Sequence, residues 1–145
     1  MSAAKSGLEA ELFVIEHVRC PSCGHDLRAL HPGFPLYDVD CSRCLFRAQV
    51  KRILTPPRNR IRGASWDVLH HHLRTGQLIP PIFACFGWEK DDPAPQVVYF
   101  FPFIPATHIR KRVLSENHAT PGRKMTEYER MLELPKMVVW EASAM

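Results

Sequence analysis

Two pairs of cysteines have the spacing of a tetrahedral metal site. Cys20 and Cys23 form one CxxC pair, Cys41 and Cys44 form the other, and residues 24–40 separate them. This spacing is typical of zinc sites, in which two tight turns each direct two sulfurs at one ion. Redox chemistry is the alternative interpretation of CxxC, but it usually needs one pair. Four cysteines leave no open coordination position, so we expect a structural zinc in a module spanning residues 20–44.

A second set of polar residues overlaps this module. Asp38 precedes the second cysteine pair, and Gln49 and Lys51 follow it on a segment that alternates apolar and polar residues, as a half-buried strand does. Gln49 and Lys51 then point to the same face. If the two strands are neighbours, an acid, an amide and an ammonium meet, and such a set can hold Mg²⁺ beside a phosphate. The pattern alone is weak, and solvated surface positions for Asp38 and Lys51 are the alternative.

The order of these motifs resembles the catalytic domain of DpnI-type (Dam-replacing family) restriction endonucleases, which are PD-(D/E)XK nucleases with a zinc site. In that family an acid stands three positions before the third cysteine, as Asp38 does, and the (D/E)xK motif follows the fourth cysteine at the distance of Gln49-Val50-Lys51. The resemblance covers roughly residues 18–123. Its further segments are GAS at 63–65, PIFACF at 81–86, FPFIPATHIRKRVLS at 101–115 and the Gly122-Arg123 loop.

The resemblance implies an α/β fold with a PD-(D/E)XK restriction-endonuclease-like mixed sheet and helices, carrying a four-cysteine zinc ribbon-like insertion. It implies Asp38 and Gln49 as magnesium ligands and Lys51 as the active-site lysine. Gln49 stands where the family usually has a carboxylate. The implied activity is divalent-metal-dependent DNA cleavage of the bacterial restriction type, and the family acts on adenine-methylated DNA. The alternatives are a catalytically weak or inactive zinc-containing DNA-binding or adaptor protein on the same fold, and a zinc ribbon that mediates protein contacts.

Basic residues surround the proposed nuclease motif and recur in two later clusters. Such groups are expected to neutralise phosphates of double-stranded DNA. The predicted nucleic-acid-binding residues are Arg47, Arg52, Arg58, Arg60, Arg62, Arg110, Lys111, Arg112, Arg123 and Lys124. The winged-helix domain of the DpnI-type enzymes has no counterpart in this sequence, so a homodimer or a separate specificity subunit is left open as a partner.

The bulk composition favours one globular domain over residues 1–145. The chain is 46% hydrophobic with a formal net charge of +4, a mild basic excess that suits a nucleic-acid partner without requiring one. It has no apolar run long enough for a membrane span and no secretory signal at its start. We therefore predict a cytoplasmic protein without membrane contact.

The elements follow from periodicity and turn residues. We expect a helix at 8–18, or a helix running into a strand, and one of its acids Glu9, Glu11 and Glu16 could be an accessory metal ligand. A strand at 45–53 follows the module, and its polar face carries Gln49 and Lys51. The remaining predictions are a basic turn at 55–60, a helix at 63–74 capped by Ser65, core strands at 78–88 and 96–104, a short helix or loop at 106–115, a helix at 125–134 and a strand at 136–140.

Overall fold

The structure, a computed structural model, describes residues 3–31, 34–54, 61–117 and 119–142. Within them the chain forms two α-helices, nine strands and two short 3-10 helices. The helices are α1 (Ala3–His17) and α2 (Trp66–Arg74), and the 3-10 helices are Ala106–His108 and Met131–Glu133. The strands are β1 (Leu27–Ala29), β2 (Val39–Cys41), β3 (Arg47–Ile53), β4 (Ile61–Ser65), β5 (Ile82–Phe86), β6 (Val97–Phe101), β7 (Ile109–Val113), β8 (Lys124–Tyr128) and β9 (Met137–Glu141).

The strands form a six-stranded mixed sheet, ordered β1-β2-β3-β5-β6-β9, and a three-stranded sheet, ordered β4-β8-β7. In the large sheet only β3 and β5 are parallel, with Gln49 opposite Ile82 and Lys51 opposite Ala84. The connection between them contains β4 and α2, as a parallel pair requires a crossover. The protein is therefore mixed α/β, and β3 lies in the interior of the large sheet.

The large sheet is covered on both faces. Along β3, Ala48 and Val50 belong to one core cluster, which includes Phe13 and Val14 of α1. Ile53 belongs to a second cluster, which contains Tyr128 of β8. Because neighbouring side chains on a strand point to opposite faces, Gln49 and Lys51 face the side of the small sheet.

Several sequence predictions are confirmed. A helix forms near the amino terminus, although it begins at Ala3 rather than at residue 8. β5 and β6 lie within the predicted core strands, β6 ends directly before Pro102, and β9 coincides with the predicted last strand. The predicted basic turn at 55–60 lies outside the described residues.

Other predictions are wrong in whole or in part. The helix predicted from residue 63 begins at Trp66, because 61–65 is strand β4, and the Ser65 side chain makes no capping hydrogen bond. A helix predicted at 125–134 is strand β8 followed by a 3-10 helix, and the segment 106–115 contains strand β7. β7 and β8 pair along their whole length, so strand pairing outweighs local helix propensity here.

No helix in the described part of the chain is long and apolar enough to cross a membrane.

Candidate metal centre and neighbouring acid–lysine cluster

The four predicted cysteines meet at one end of the β1–β2 hairpin. Their sulfurs all lie within 4.8 Å of one another, with Cys20 Sγ 3.6 Å from Cys44 Sγ and Cys23 Sγ 3.4 Å from Cys41 Sγ. Sulfurs at about 2.3 Å from a tetrahedral zinc would lie about 3.8 Å apart. None of the four forms a disulfide. The cluster therefore has the composition and size to hold a metal ion such as zinc.

Backbone groups of the two turns support thiolates in this cluster. The N–H groups of Arg43 and Cys44 donate to Cys41 Sγ at 3.3 and 3.4 Å. Burial disfavours the charged form of Cys41, but these bonds outweigh it and lower the pKa of Cys41 to about 6. In the first turn, Gly24 has a φ of +81°, a conformation that glycine adopts without steric cost. The local sequence therefore shapes each turn for ligation.

Asp38 lies immediately before β2 and is fixed to β3. Its N–H donates to the carbonyl of Ala48 at 2.9 Å, and its Oδ2 accepts the N–H of Val50 at 2.7 Å. The pairing of Val39 with Ala48 continues this register. Asp38 thus stands beside the strand that carries Gln49 and Lys51, as the spacing predicted.

Glu11 of α1 meets Asp38. Desolvation, the negative charge of Asp38 and a hydrogen bond with its carboxyl group raise the pKa of Glu11 to about 7. Two carboxyl groups in contact share a proton, because ionising both places like charges side by side. Of the three helix acids, Glu9 instead pairs with Arg52 and Glu16 lies near His17. The structure therefore selects Glu11 as the acid that joins the site.

Lys51 stands near the same carboxylate. Desolvation lowers the pKa of Lys51, while the negative charge of Asp38 acts in the opposite direction. The ammonium group is thus partly withdrawn from solvent within the field of Asp38. Asp38 thus acts electrostatically on both Glu11 of α1 and Lys51 of β3.

Gln49 occupies a different environment from the one predicted for it. It is only 2% exposed, so the expected polar face of β3 is buried at this position. Burial raises the pKa of Tyr128, and the neighbouring Gln49 amide partly offsets that effect. Among the described residues, however, neither Gln49 Oε1 nor Tyr128 Oη has a hydrogen-bond partner. Gln49 therefore presents a buried acceptor on the face of β3 that also carries Lys51.

A cleft opens in front of the two carboxylates. It has a volume of about 530 Å³, and its lining includes Leu8 and Glu11 of α1 together with Leu30, Tyr37 and Asp38. Sites of about 300–1,000 Å³ are typical for small ligands or for parts of larger ones. The acids are thus accessible to a substrate from this side, and the walls next to them are largely apolar.

Three of the predicted DNA-binding residues lie together on the small sheet. Arg62 and Arg110 are both register partners of Glu127, on either side of it. Glu127 is buried and pairs with Arg110 at 3.2 Å and with Arg112 at 3.4 Å. Arg110 also lies 3.6 Å from the carboxylate of Glu129, so the arginines of this sheet share two acidic partners. Three more of the predicted DNA-binding residues, Lys111, Arg123 and Lys124, are exposed.

Arg47 and Arg52, on β3, have partners within the protein. The Arg47 guanidinium lies 4.9 Å from the ring centroid of Phe34. Arg52 is 8% exposed, pairs with Glu9 at 3.0 Å and lies 4.5 Å from the Trp88 ring. A phosphate contact by Arg52 would require it to leave these partners. Arg58 and Arg60 lie outside the described residues.

Comparison with protein-family models and with curated proteins finds no match to this chain. The functional interpretation therefore depends on the geometry described above. Sequence reasoning did not identify Tyr37 or Tyr128 as neighbours of the site, and it could not choose among the acids of α1. The sequence held one signal that Tyr37 neighbours the site, namely its position directly before Asp38.

Proposed function

We propose that the protein is a divalent-metal-dependent endonuclease of the PD-(D/E)XK class that hydrolyses phosphodiester bonds in DNA. The observation that supports this best is the meeting of the Glu11 and Asp38 carboxyl groups in an open cleft, with Lys51 close by. The mixed sheet, with β3 carrying Lys51 in its interior, is consistent with the class. Acids and a lysine from three separate elements are positioned by the fold rather than by sequence proximity.

The donor set suits Mg²⁺. This ion prefers oxygen ligands and is usually held by one or two carboxylates together with water and substrate phosphate. Glu11 and Asp38 would hold it, and the neutral acceptor of the predicted motif is Gln49 Oε1, which has no hydrogen-bond partner among the described residues. When bound, such an ion polarises a phosphoryl oxygen and lowers the pKa of its water.

The protein groups have separate tasks in this proposal. The N–H of Val50 holds Asp38 Oδ2 in place, so the carboxylate is oriented before substrate arrives. Lys51 places a positive charge where negative charge increases on the phosphate during attack, an electrostatic contribution that a preorganised site makes efficiently. The apolar wall of Leu8 and Leu30 limits water near the reacting group. Together these residues orient, neutralise and shield the phosphodiester.

Zinc at the four cysteines has a structural role in this proposal. All four positions of a tetrahedral ion would be filled by protein ligands, so the ion could not bind substrate. The cysteines lie at the open end of the β1–β2 hairpin, and Asp38 directly precedes β2 at the other end of that strand. A thiolate site also needs a reducing compartment, which is why we include a cytoplasmic location in the proposal.

Double-stranded DNA is the proposed substrate. Arg62, Arg110 and Arg112 of the small sheet are its expected phosphate contacts, and Arg110 and Arg112 would exchange their carboxylate partners for phosphates. The restriction-type role and the preference for adenine-methylated DNA are supported only by the resemblance of the cysteine and QVK motifs to DpnI-type enzymes. A homodimer or a separate specificity subunit stays a prediction.

A cleavage assay tests the proposal. Zinc-containing protein is incubated with adenine-methylated and unmethylated plasmid, with Mg²⁺, with Mn²⁺ and without added divalent metal. We expect metal-dependent cutting that Lys51→Met and Asp38→Asn reduce at least about 100-fold, whereas Lys90→Met, at an exposed lysine far along the chain, cuts like the wild type. Equal cutting by all variants would refute the site assignment.

A catalytically weak zinc-containing DNA-binding or adaptor protein is the second candidate. The observation that favours it is Gln49, a neutral side chain buried next to Tyr128 where a nuclease of this class usually has a carboxylate. Titration of zinc-loaded protein with Mn²⁺ distinguishes the two. Binding of DNA without any binding of Mn²⁺ would favour this second candidate.

A further inference from the structure

One wall of the cleft is an aromatic ring that the protein holds in place. Tyr37 packs edge-on against Phe34, with centroids 6.2 Å apart. The Arg47 guanidinium lies 6.0 Å from the centroid of the Tyr37 ring. The Tyr37 hydroxyl is 3.5 Å from Nε2 of His72 on α2. A ring contacted by groups from three segments has little freedom to rotate, so this wall of the cleft exists before any ligand binds.

The backbone next to this ring has an uncommon conformation. Leu36 has a φ of +68°, in the left-handed region that residues with a branched side chain rarely adopt. Such a conformation persists only where the surrounding structure imposes it, and it is often associated with functional sites. The turn therefore places Tyr37 directly beside Asp38 at a cost in local backbone energy.

The chemistry of the cleft fits one kind of occupant. The carboxylates of Glu11 and Asp38, which would hold the metal ion, mark the position of a phosphate, while Tyr37, Leu8 and Leu30 offer a flat ring and apolar walls next to it. A nucleoside attached to that phosphate has a flat base that stacks on aromatic rings. In a regular duplex this base is paired and stacked, so it would reach the cleft only from a single strand or after turning out of the helix.

We propose that this cleft holds an unstacked nucleoside adjoining the scissile phosphate, with its base against the Tyr37 ring. The inference rests on the proposed function for the position of the phosphate. Beyond the proposed function, the inference states that the DNA at the cut site is single-stranded or locally opened.

Binding of short oligonucleotides that contain 2-aminopurine, a base whose emission falls on stacking, tests this inference. The base is offered in a single strand, in a duplex without a partner base, and in a fully paired duplex. Ca²⁺ replaces Mg²⁺, and gels verify that the strands stay intact. We expect tighter binding and altered emission for both unpaired forms. If only the single strand binds tightly, the base comes from single-stranded DNA; if both unpaired forms do, it comes from an opened duplex.

Variants at Tyr37 connect the effect to the ring. Tyr37→Ala and Tyr37→Leu should weaken binding of the unpaired base about 5- to 100-fold, the usual range for loss of one stacking contact, whereas Tyr37→Phe should keep it. Tyr37→Leu retains bulk and so guards against a folding defect, and retained zinc checks the fold of each variant. Phe103→Ala is the matched control, because Phe103 is an exposed aromatic residue that does not line the cleft.

Two results would overturn the inference. One is equal binding of paired and unpaired bases. The other is unchanged binding in Tyr37→Ala and Tyr37→Leu. If plasmid cutting depends on Lys51 in either case, the proposed function stands while the inference fails. If no DNA is cut but Tyr37-dependent binding of the unpaired base is observed, the proposed nuclease function fails and the cleft assignment stands.

Discussion

Glu11 provides a direct test of the acid pair, because the pair should cost stability when no cation is bound. In Glu11→Gln a neutral amide replaces one of two carboxyl groups and can donate a hydrogen bond to Asp38. We therefore expect the variant to be more stable than the wild type at pH 8 without added Mg²⁺. At the same time it should lose most of the stabilisation that Mg²⁺ gives to the wild type.

The expected magnitude follows from the pKa of Glu11, which is raised from 4.5 to about 7 in the folded protein. Below pH 4.5 the carboxyl group is protonated in both the folded and the unfolded state. As the pH rises from 4.5 to 7, the unfolded chain loses this proton first, so the free energy of unfolding falls until it levels off above pH 7. The full shift would correspond to about 3 kcal/mol, and screening at the open cleft reduces this to about 1–2 kcal/mol.

Urea unfolding followed by tryptophan fluorescence measures the effect. Zinc-loaded wild type and Glu11→Gln are compared at pH 4.5 and pH 8, and chelators are avoided because they would remove zinc. The difference in unfolding free energy should be near zero at pH 4.5 and about 1–2 kcal/mol in favour of the variant at pH 8. Mg²⁺ at about 100 times its dissociation constant should then stabilise the wild type by about 2.7 kcal/mol and the variant by much less.

Glu16→Gln is the matched control for this experiment. Glu16 lies on the same helix, but its side chain is 76% exposed, so its replacement should change neither the pH dependence nor the response to Mg²⁺. A Glu11→Gln variant that is less stable than the wild type at pH 8, and that gains as much from Mg²⁺, would refute both the acid pair and the metal site.

Three further predictions concern the surroundings of the site. Cys41→Ala should abolish zinc binding and lower the free energy of unfolding by several kcal/mol. Cys85→Ala, which changes a buried thiol outside the cluster, should retain zinc, as metal analysis would measure. Retained zinc in Cys41→Ala would contradict the four-cysteine site. Arg52→Ala should lower the urea midpoint by the equivalent of about 1–3 kcal/mol, because it removes a partly buried ion pair and a contact over an indole ring; reduced DNA affinity without a loss of stability would instead assign Arg52 to a phosphate. Tyr128→Phe removes a buried hydroxyl that has no hydrogen-bond partner in the described part of the chain, so stability in urea should change by less than about 1 kcal/mol. A larger loss would mean that the hydroxyl has a partner, such as the Gln49 amide.

Local signals in the sequence were sufficient for the metal cluster and for β3. The spacing from Cys20 to Cys44 predicts four sulfurs around one ion because each CxxC turn is formed by adjacent residues. Alternation along residues 45–53 predicted strand β3 for a similar reason. Its solvent-facing side could not be predicted, because the burial of Gln49 depends on the small sheet, whose strand β8 lies far away in the sequence.

The wrong secondary-structure predictions also arise from tertiary contacts that local sequence signals do not contain. Residues 125–134 carry helix-forming side chains, yet Thr126 and Tyr128 are fully buried on strand β8 between partners on both sides. Pairing with β4 and β7 decides the conformation of β8, and β4 lies about 60 residues earlier in the sequence. The choice of Glu11 over the other acids of α1 has a similar basis, since it depends on which turn of the helix packs against Asp38.

The cysteine cluster and the acid–lysine cluster are connected by strand β2. Only Val39 and Asp40 separate Asp38 from Cys41, so the two sites lie about 10 Å apart along an extended strand. The four cysteines restrain the open end of the hairpin, where β1 begins and β2 ends, and the bonds from Asp38 to β3 restrain the opposite end of β2. A bound zinc would therefore keep Asp38 in register with Lys51 without contacting either residue. This explains why one short segment carries both motifs: the ion at its end would fix the carboxylate at its start, so that the acid pair need not be ordered by substrate binding.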